Sequence, residues 1–403
     1  CNAKLSFADY LQHAALKEAG QALSRGEVVA FPTETVYGLG GNAWRNEACS
    51  KIFTAKGRPN DNPLIVHISE RWQLQQWILQ DGDSEHDQAH NQQITIAPIL
   101  EALMDKFWPG PLSIVLPYGG QRICSTVRGG GQLKSVAVRM PSNDIARALI
   151  SLAGCPIAAP SANISGRPSP TKGQHAIHDL NGKIYGILDC GAVSCQHGLE
   201  STVIKLEECG GDSEKKQIVI LRPGAVTKQM ILEVVEQQKQ QHLFEVVYAK
   251  KREKSGQEEE ESVFVAEAPG MKYRHYAPQK PLYLVKDPHL FSDMYWYFYA
   301  QQKLNEVVFI ITTQNTLIQK ANEDNKNIVV IGDRNDLSAI GANLFQILRK
   351  IDDEPQYENI QLIFCEVFDL QHIGVAIMNR LQKASQSNKI IETLSDLHSI
   401  QLS

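Results

Sequence analysis

The chain has 403 residues, with 40 Lys and Arg against 45 Asp and Glu, for a formal net charge of −5. At 43% hydrophobic and 21% charged residues it has the composition of a soluble globular protein, and its length suits two to three domains of about 150 residues. It is too apolar to be disordered and too acidic for blanket nucleic-acid coating, and it has no apolar run near the roughly 18 residues that a membrane span requires.

Residues 1–20 mix polar and apolar side chains without a basic stretch leading an apolar one, so no secretory signal is expected. The eight cysteines are scattered and form no C-x-x-C pair, which predicts reduced, buried thiols in a cytoplasmic protein. Cys190, Cys195 and His197 come closest together, with looser spacing than a zinc site uses.

In chain order, Ala8 to Ser24 places Leu11, Ala14, Ala15, Ala19 and Leu23 at helical spacing and predicts one helix. Glu27 to Phe31 is a short strand stopped by Pro32. The segment that follows, to Gly41, carries Thr33, Thr35, the carboxylate of Glu34, the phenol of Tyr37 and three glycines. It is either a capped corner or a loop whose glycines let backbone approach a ligand. Ala48 to Lys56 is helical. Lys56 and Arg58 then stand one residue apart before a Pro-fixed turn. An ammonium and a guanidinium together suit a polyphosphate; alternatively they are solvated cations closing a helix. Asn62 and His67 bracket the strand-like Pro63 to Ile68, and the acidic stretch Gln80 to Gln93 reads as a surface loop.

Ile99 to Phe107 is a helix broken at Pro109-Gly110-Pro111, and Leu112 to Leu116 and Ser135 to Arg139 alternate as strands. Arg139 in such an apolar strand is costly unless paired; a protein carboxylate or an acidic ligand would answer it. Ile145 to Ala153 is a helix and Pro156 to Ala159 a strand. Ser161 and Asn163 come next, and on an extended backbone they would share one face. Thr171 ends that Ser- and Pro-rich stretch. Thr202 to Leu206 and Gln217 to Leu221 are strands with Ser201 and Arg222 at their ends, joined by a polar loop over Glu207 to Gln217. This is an α/β pattern with much of the sheet mixed or antiparallel.

Tyr248 to Glu267 is dense in both charge signs and reads as linker. Ala268 to Pro278 alternates basic and aromatic residues, among them His275 and Tyr276. It is either a tethered segment or a flap returning over the first domain. Strands at Leu282–Val285, Val307–Ile311, Ile328–Ile331 and Gln361–Phe364 alternate with helices at Phe291–Lys303, Leu317–Ala321, Ala339–Lys350 and Val375–Ala384. Four such strands predict a small parallel, Rossmann-like layer, without G-x-G-x-x-G or a P-loop. The expected organisation is therefore a domain over 1–245, a linker over 246–280 and a second domain over 281–403. No Ser-His-Asp order, H-E-x-x-H or G-x-S-x-G is present. The polar set suits holding two reactants and stabilising charge.

Pro32 to Gly40, Lys56 to His67, Trp108 to Leu112, Val136 to Pro141, Ala159 to Thr171, Ser201 to Val203 and Leu221 to Gly224 together resemble the YrdC-like family of threonylcarbamoyl-AMP synthases. Pro269 to Pro278 and Ala376 to Leu381 resemble its long two-domain form. The resemblance implies condensation of L-threonine, bicarbonate or CO2 and ATP into threonylcarbamoyl-adenylate and pyrophosphate. That product feeds N6-threonylcarbamoyladenosine formation at position 37 of tRNA. Carried onto matching positions, Thr35, His67, Arg139, Ser161 and Ser201 contact threonine. Lys56, Arg58, Asn62, Ser135, Asn163, Thr171 and Arg222 contact ATP, with His275 or Tyr276 covering the nucleotide. Mg2+ is expected on the phosphates without a protein cage. Position 135 is Ser where the family commonly has Thr, so a hydroxyl is kept; His372-Ile373-Gly374 is less glycine-rich than the family's approach to the last helix. Expected partners are the downstream tRNA threonylcarbamoyl-transferase machinery, with a possible direct tRNA contact and no membrane. The competing reading is an RNA-binding module of the same fold without ATP turnover, which the near balance of charge in residues 1–245 weakens. A carbamoyl-transfer domain of the hydrogenase-maturation kind would bring zinc-finger and acylphosphatase segments that this chain lacks.

Overall fold

The computed structural model describes residues 6–80, 95–191, 195–208, 215–249, 267, 275–320, 325–386 and 390–400. The chain forms two units: Cys1–Ser165, Lys172–Gln196 and Glu200–Tyr273 in the first, and Gly166–Thr171, His197–Leu199 and Arg274–Ser403 in the second.

The first unit opens on two helices, α1 (Phe7–Gln12) and α2 (Ala14–Arg25), where the periodicity predicts one. Ser6 and Asp9 form a capping box on α1, and His13 adopts an extended backbone (ψ 125°) that ends it. Gly26, at φ 95°, closes α2 in the left-handed conformation that glycine enters without steric cost. There follow β1 (Val29–Phe31), β2 (Gly38–Asn42), α3 (Asn46–Lys56), β3 (Ile65–His67), α4 (Pro98–Phe107), β4 (Leu112–Pro117) and β5 (Ser135–Arg139). Next come α5 (Asp144–Ala153), β6 (Ile157–Ala158), α6 (Gly173–Leu180), β7 (Gly186–Ile187), β8 (Thr202–Glu208), β9 (Lys216–Arg222), α7 (Lys228–Gln237) and β10 (Phe244–Tyr248). Strand β10 crosses residue 245, so this unit's sheet ends past the boundary the composition suggests. It is held there by parallel pairing with β9 over five residues. The insert 81–94, most of the polar loop after β8, and the linker apart from its ends lie outside the described residues.

The ten strands lie in the order β10-β9-β8-β4-β5-β3-β6-β2-β1-β7. The pairs β10/β9, β8/β4, β5/β3 and β1/β7 are parallel and the other five antiparallel. The sheet is therefore mixed, as the sequence pattern predicts. Side chains alternate across a strand with period two. The register His67↔Arg139, Ser113↔Arg139 and Ser113↔Val203 thus sets Ile65, His67, Ser113, Val115, Ser135, Ala137, Arg139, Ser201 and Val203 on one face. Ile65, Val115, Ala137 and Val203 join Leu221 in a small apolar floor there. The opposite alternation, including Val66, Ile114, Leu116, Val136 and Val138, belongs to the main core with α3 and α4.

The second unit contains β11 (Leu282–Val285), α8 (Leu290–Ala300), β12 (Val307–Thr312), β13 (Ile328–Gly332), α9 (Leu337–Asp353), β14 (Leu362–Glu366), α10 (Gly374–Ala384) and β15 (Ile390–Ile391). All four pairings in its order β13-β12-β14-β11-β15 are parallel. A fifth strand thus joins the four expected: the two-residue β15, too short to carry a pattern. The helix expected over Leu317–Ala321 is a 3-10 turn, Thr316–Lys320. Phe291, Phe298, Phe309 and Phe364 fill the core. No helix among the described residues is long and apolar enough to cross a membrane.

Candidate active site

Pro32 ends β1, and the Thr33 hydroxyl folds the next residues into a turn. Its Oγ1 accepts from the backbone N–H of Thr35 (3.1 Å) and Val36 (3.2 Å) and donates to the Val36 carbonyl (2.6 Å). Its proton is thereby used, so Thr35 Oγ1, 2.8 Å away, is the donor between the two hydroxyls. This turn delivers Glu34 and Thr35 to Arg139 at the end of β5. Arg139 Nη2 lies 2.5 Å from Glu34 Oε1, Nη1 donates to Thr35 Oγ1 at 3.0 Å, and Nε donates to the Gly110 carbonyl at 3.2 Å. The carboxylate left open in the sequence is Glu34, and both side chains of the pair are 5% exposed.

His67, paired with Arg139 in the strand register, is buried, with Nδ1 3.1 Å from the Ile65 carbonyl. Burial pushes its pKa down to about 3, and the Arg139 charge adds to that. His67 is therefore a neutral imidazole. Ser113 Oγ lies 2.8 Å from Ser201 Oγ, which also accepts from Arg222 Nη2 at 3.0 Å; Arg222 Nε donates to the Ser201 carbonyl at 3.0 Å. Thr35, His67, Arg139, Ser201 and Arg222 thus form one connected cluster.

A second cluster gathers where α3 ends. Lys56, 2% exposed, donates to the carbonyls of Ser161 and Asn163, both at 2.5 Å. Ser161 and Asn163 form a turn rather than an extended pair: Ser161 Oγ donates to Asn163 Oδ1 at 2.5 Å, and Ser161 bridges to Gly38 at the start of β2. Arg58 Nη2 donates to the Pro63 carbonyl at 3.3 Å. Asn62 is 0% exposed, and neither of its amide atoms has a hydrogen-bond partner among the described residues. Ser135 begins β5 on the face that Arg139 ends, four residues or about 13 Å away. The site therefore has two polar ends over an apolar floor. Among the described residues no three His, Cys, Asp or Glu side chains are grouped to hold a metal ion.

Thr171, His275 and Tyr276 belong to the second unit. There the Tyr276 ring, 5% exposed, stacks on Phe345 (centroids 5.3 Å apart) beneath the Arg380 guanidinium (5.5 Å). Sequence reasoning named Glu34 without giving it a role and passed over Ser113; their partners lie 105 and 88 residues away. Strand alternation pointed to Ser113, since it shares its strand face with Val115.

The Sua5_yciO_yrdC family model, described as Telomere recombination, matches residues 21–224, and that of the threonylcarbamoyl-AMP synthase C-terminal domain matches 226–386. The threonylcarbamoyl-AMP synthase of Bacillus subtilis is 38% identical over 376 residues, covering 92% of each chain. That of Pyrococcus abyssi is 38% identical over 92% of this chain and 94% of its own. The crystal structure of P. abyssi Sua5 complexed with L-threonine superimposes with a TM-score of 0.74 at 35% identity, covering 97% of this chain and 98% of that one. Both halves of the chain are thus matched in order, and it belongs to the threonylcarbamoyl-AMP synthase family in its two-domain form.

Proposed function

We propose that this chain is an L-threonylcarbamoyladenylate synthase, a nucleotidyltransferase that condenses L-threonine, bicarbonate or CO2 and ATP into threonylcarbamoyl-AMP and pyrophosphate. The product passes to the machinery that builds N6-threonylcarbamoyladenosine at position 37 of tRNA. The observation that carries this reading is Asn62. A fully buried amide with both polar atoms unpartnered among the described residues costs about 1–3 kcal/mol per orphaned group, a cost that a ligand beside Arg58 would relieve.

The reactants do not divide one to a cluster: Ser161, bonded to Lys56 and Asn163, goes with threonine, and Arg222, bonded to Ser201, goes with the triphosphate. Arg139, Thr35, His67, Ser201 and Ser161 take threonine, with the neutral His67 offering a hydrogen bond rather than a charge. Lys56, Arg58, Asn62, Ser135, Asn163 and Arg222 take the triphosphate. The threonine carbamate attacks the α-phosphorus and pyrophosphate leaves. The chain contributes alignment, and cations where negative charge develops, rather than a covalent intermediate. Mg2+ would be borne on the phosphate oxygens. When bound, Mg2+ offsets the triphosphate charge.

The test is to identify the nucleotide formed from ATP, L-threonine, bicarbonate and Mg2+ by mass spectrometry. Threonylcarbamoyl-AMP with stoichiometric pyrophosphate is expected. Absence of turnover together with a salt-dependent affinity for tRNA would favour the RNA-binding reading instead.

A further inference from the structure

The Glu34 carboxylate is half satisfied. It is 3% exposed, Oε1 is held by Arg139 Nη2 at 2.5 Å, and Oε2 has no hydrogen-bond partner among the described residues. A buried carboxylate oxygen without a donor is expensive. Nothing in the turn that carries Glu34 requires a carboxylate, since Thr33 makes that turn with its own hydroxyl. Arg139 uses one N–H of each terminal nitrogen on Glu34 and Thr35, and each of those nitrogens carries a second N–H.

Glu34 and Arg139 are a buried, net-neutral pair. A lone anion drawn to Arg139 meets the negative charge of Glu34 beside it, and a lone cation drawn to Glu34 meets Arg139. A zwitterion meets neither penalty: its carboxylate faces the remaining guanidinium N–H groups while its ammonium faces Oε2, so the four charges alternate. We propose that Glu34 is the ammonium-binding and specificity-determining residue of the amino-acid end of the site. It selects an α-amino acid over a plain carboxylate and keeps phosphate groups away from Arg139. This rests on the reading that the site takes threonine.

The experiment is calorimetric binding to the full chain with L-threonine and with 3-hydroxybutanoate, which lacks only the amine, each with and without an ATP analogue. Wild type should bind threonine and prefer it to 3-hydroxybutanoate by about 10- to 150-fold, the range for a hydrogen bond between charged groups. Glu34→Gln keeps the shape and an oxygen for Arg139. It should lose most of that preference while holding the ATP analogue as wild type does. Threonine affinity unchanged in Glu34→Gln would overturn the proposal. Failure of wild type to bind threonine at all would overturn the underlying reading instead. Should Glu34→Gln not fold, Glu34→Asp, which retains the charge, and the wild-type comparison decide: equal wild-type affinity for the two ligands refutes the assignment.

Discussion

Lys56 Nζ lies 2.5 Å from the carbonyl oxygens of both Ser161 and Asn163. The last side chain of α3 thereby fixes a turn more than a hundred residues further along the chain. Replacing it by methionine keeps the stem and removes the ammonium. Lys56→Met should lower the unfolding free energy by about 1.5–3 kcal/mol, as loss of a hydrogen-bonded charge implies, and abolish pyrophosphate release. Urea unfolding checks the first effect; an unshifted midpoint would show that the lysine does not hold the turn.

Asn62 should behave in the opposite way. Its amide has no partner among the described residues, so Asn62→Ala removes an unsatisfied buried group along with some packing. Unfolding free energy should stay within about 1 kcal/mol of wild type, while nucleotide affinity falls about tenfold or more. A large loss of stability with unchanged nucleotide binding would contradict a ligand-facing role.

His67 makes stability depend on pH. Its folded pKa is near 3 against an ordinary value of 6.5, so the unfolded chain takes up a proton below about 6.5 that the folded chain refuses until about 3. The contribution is fully present above pH 6.5 and is lost as pH falls, by up to about 1.4 kcal/mol per unit. Between pH 7 and pH 5, wild type should therefore lose about 2 kcal/mol more than His67→Gln. Parallel denaturation curves at the two pH values measure the difference, and identical losses would place the proton elsewhere.

Gly224 sits where a Cβ would fall 2.5 Å from Thr202 N and 2.6 Å from the Glu200 carbonyl. These are backbone atoms that cannot rotate away. Gly224→Ala should destabilise by about 1–3 kcal/mol, the cost of overpacking. It should also weaken threonine binding by displacing Ser201 between those two residues. A variant as stable and as tight-binding as wild type would mean the loop yields freely.

Several of these relationships were legible in the sequence. Strand β5 is found at the bounds its alternation predicts, Ser135–Arg139. The helix read over Ala48 to Lys56 likewise ends at Lys56. Strand β2 was not legible: Gly38-Leu39-Gly40-Gly41-Asn42 has no strand propensity. It is extended because β1 and β6 pair with its two edges. It is glycine-rich because a Cβ at Gly40 would lie 2.8 Å from both Phe31 and Ile157. Nor could the sequence choose between a protein carboxylate and a ligand for Arg139. That choice depended on a turn 105 residues upstream, and pairing at such range leaves no mark on local periodicity.

The strand that carries Ser135 at one end and Arg139 at the other works as a ruler. Its pitch, not the choice of side chains, sets how far apart those two polar groups stand. Substitutions between those marks would alter the floor and leave the scale intact. Deleting one residue from Val136–Val138 would turn one of the two marks to the back of the sheet. Drift in this stretch should therefore be free in identity and closed to insertion or loss.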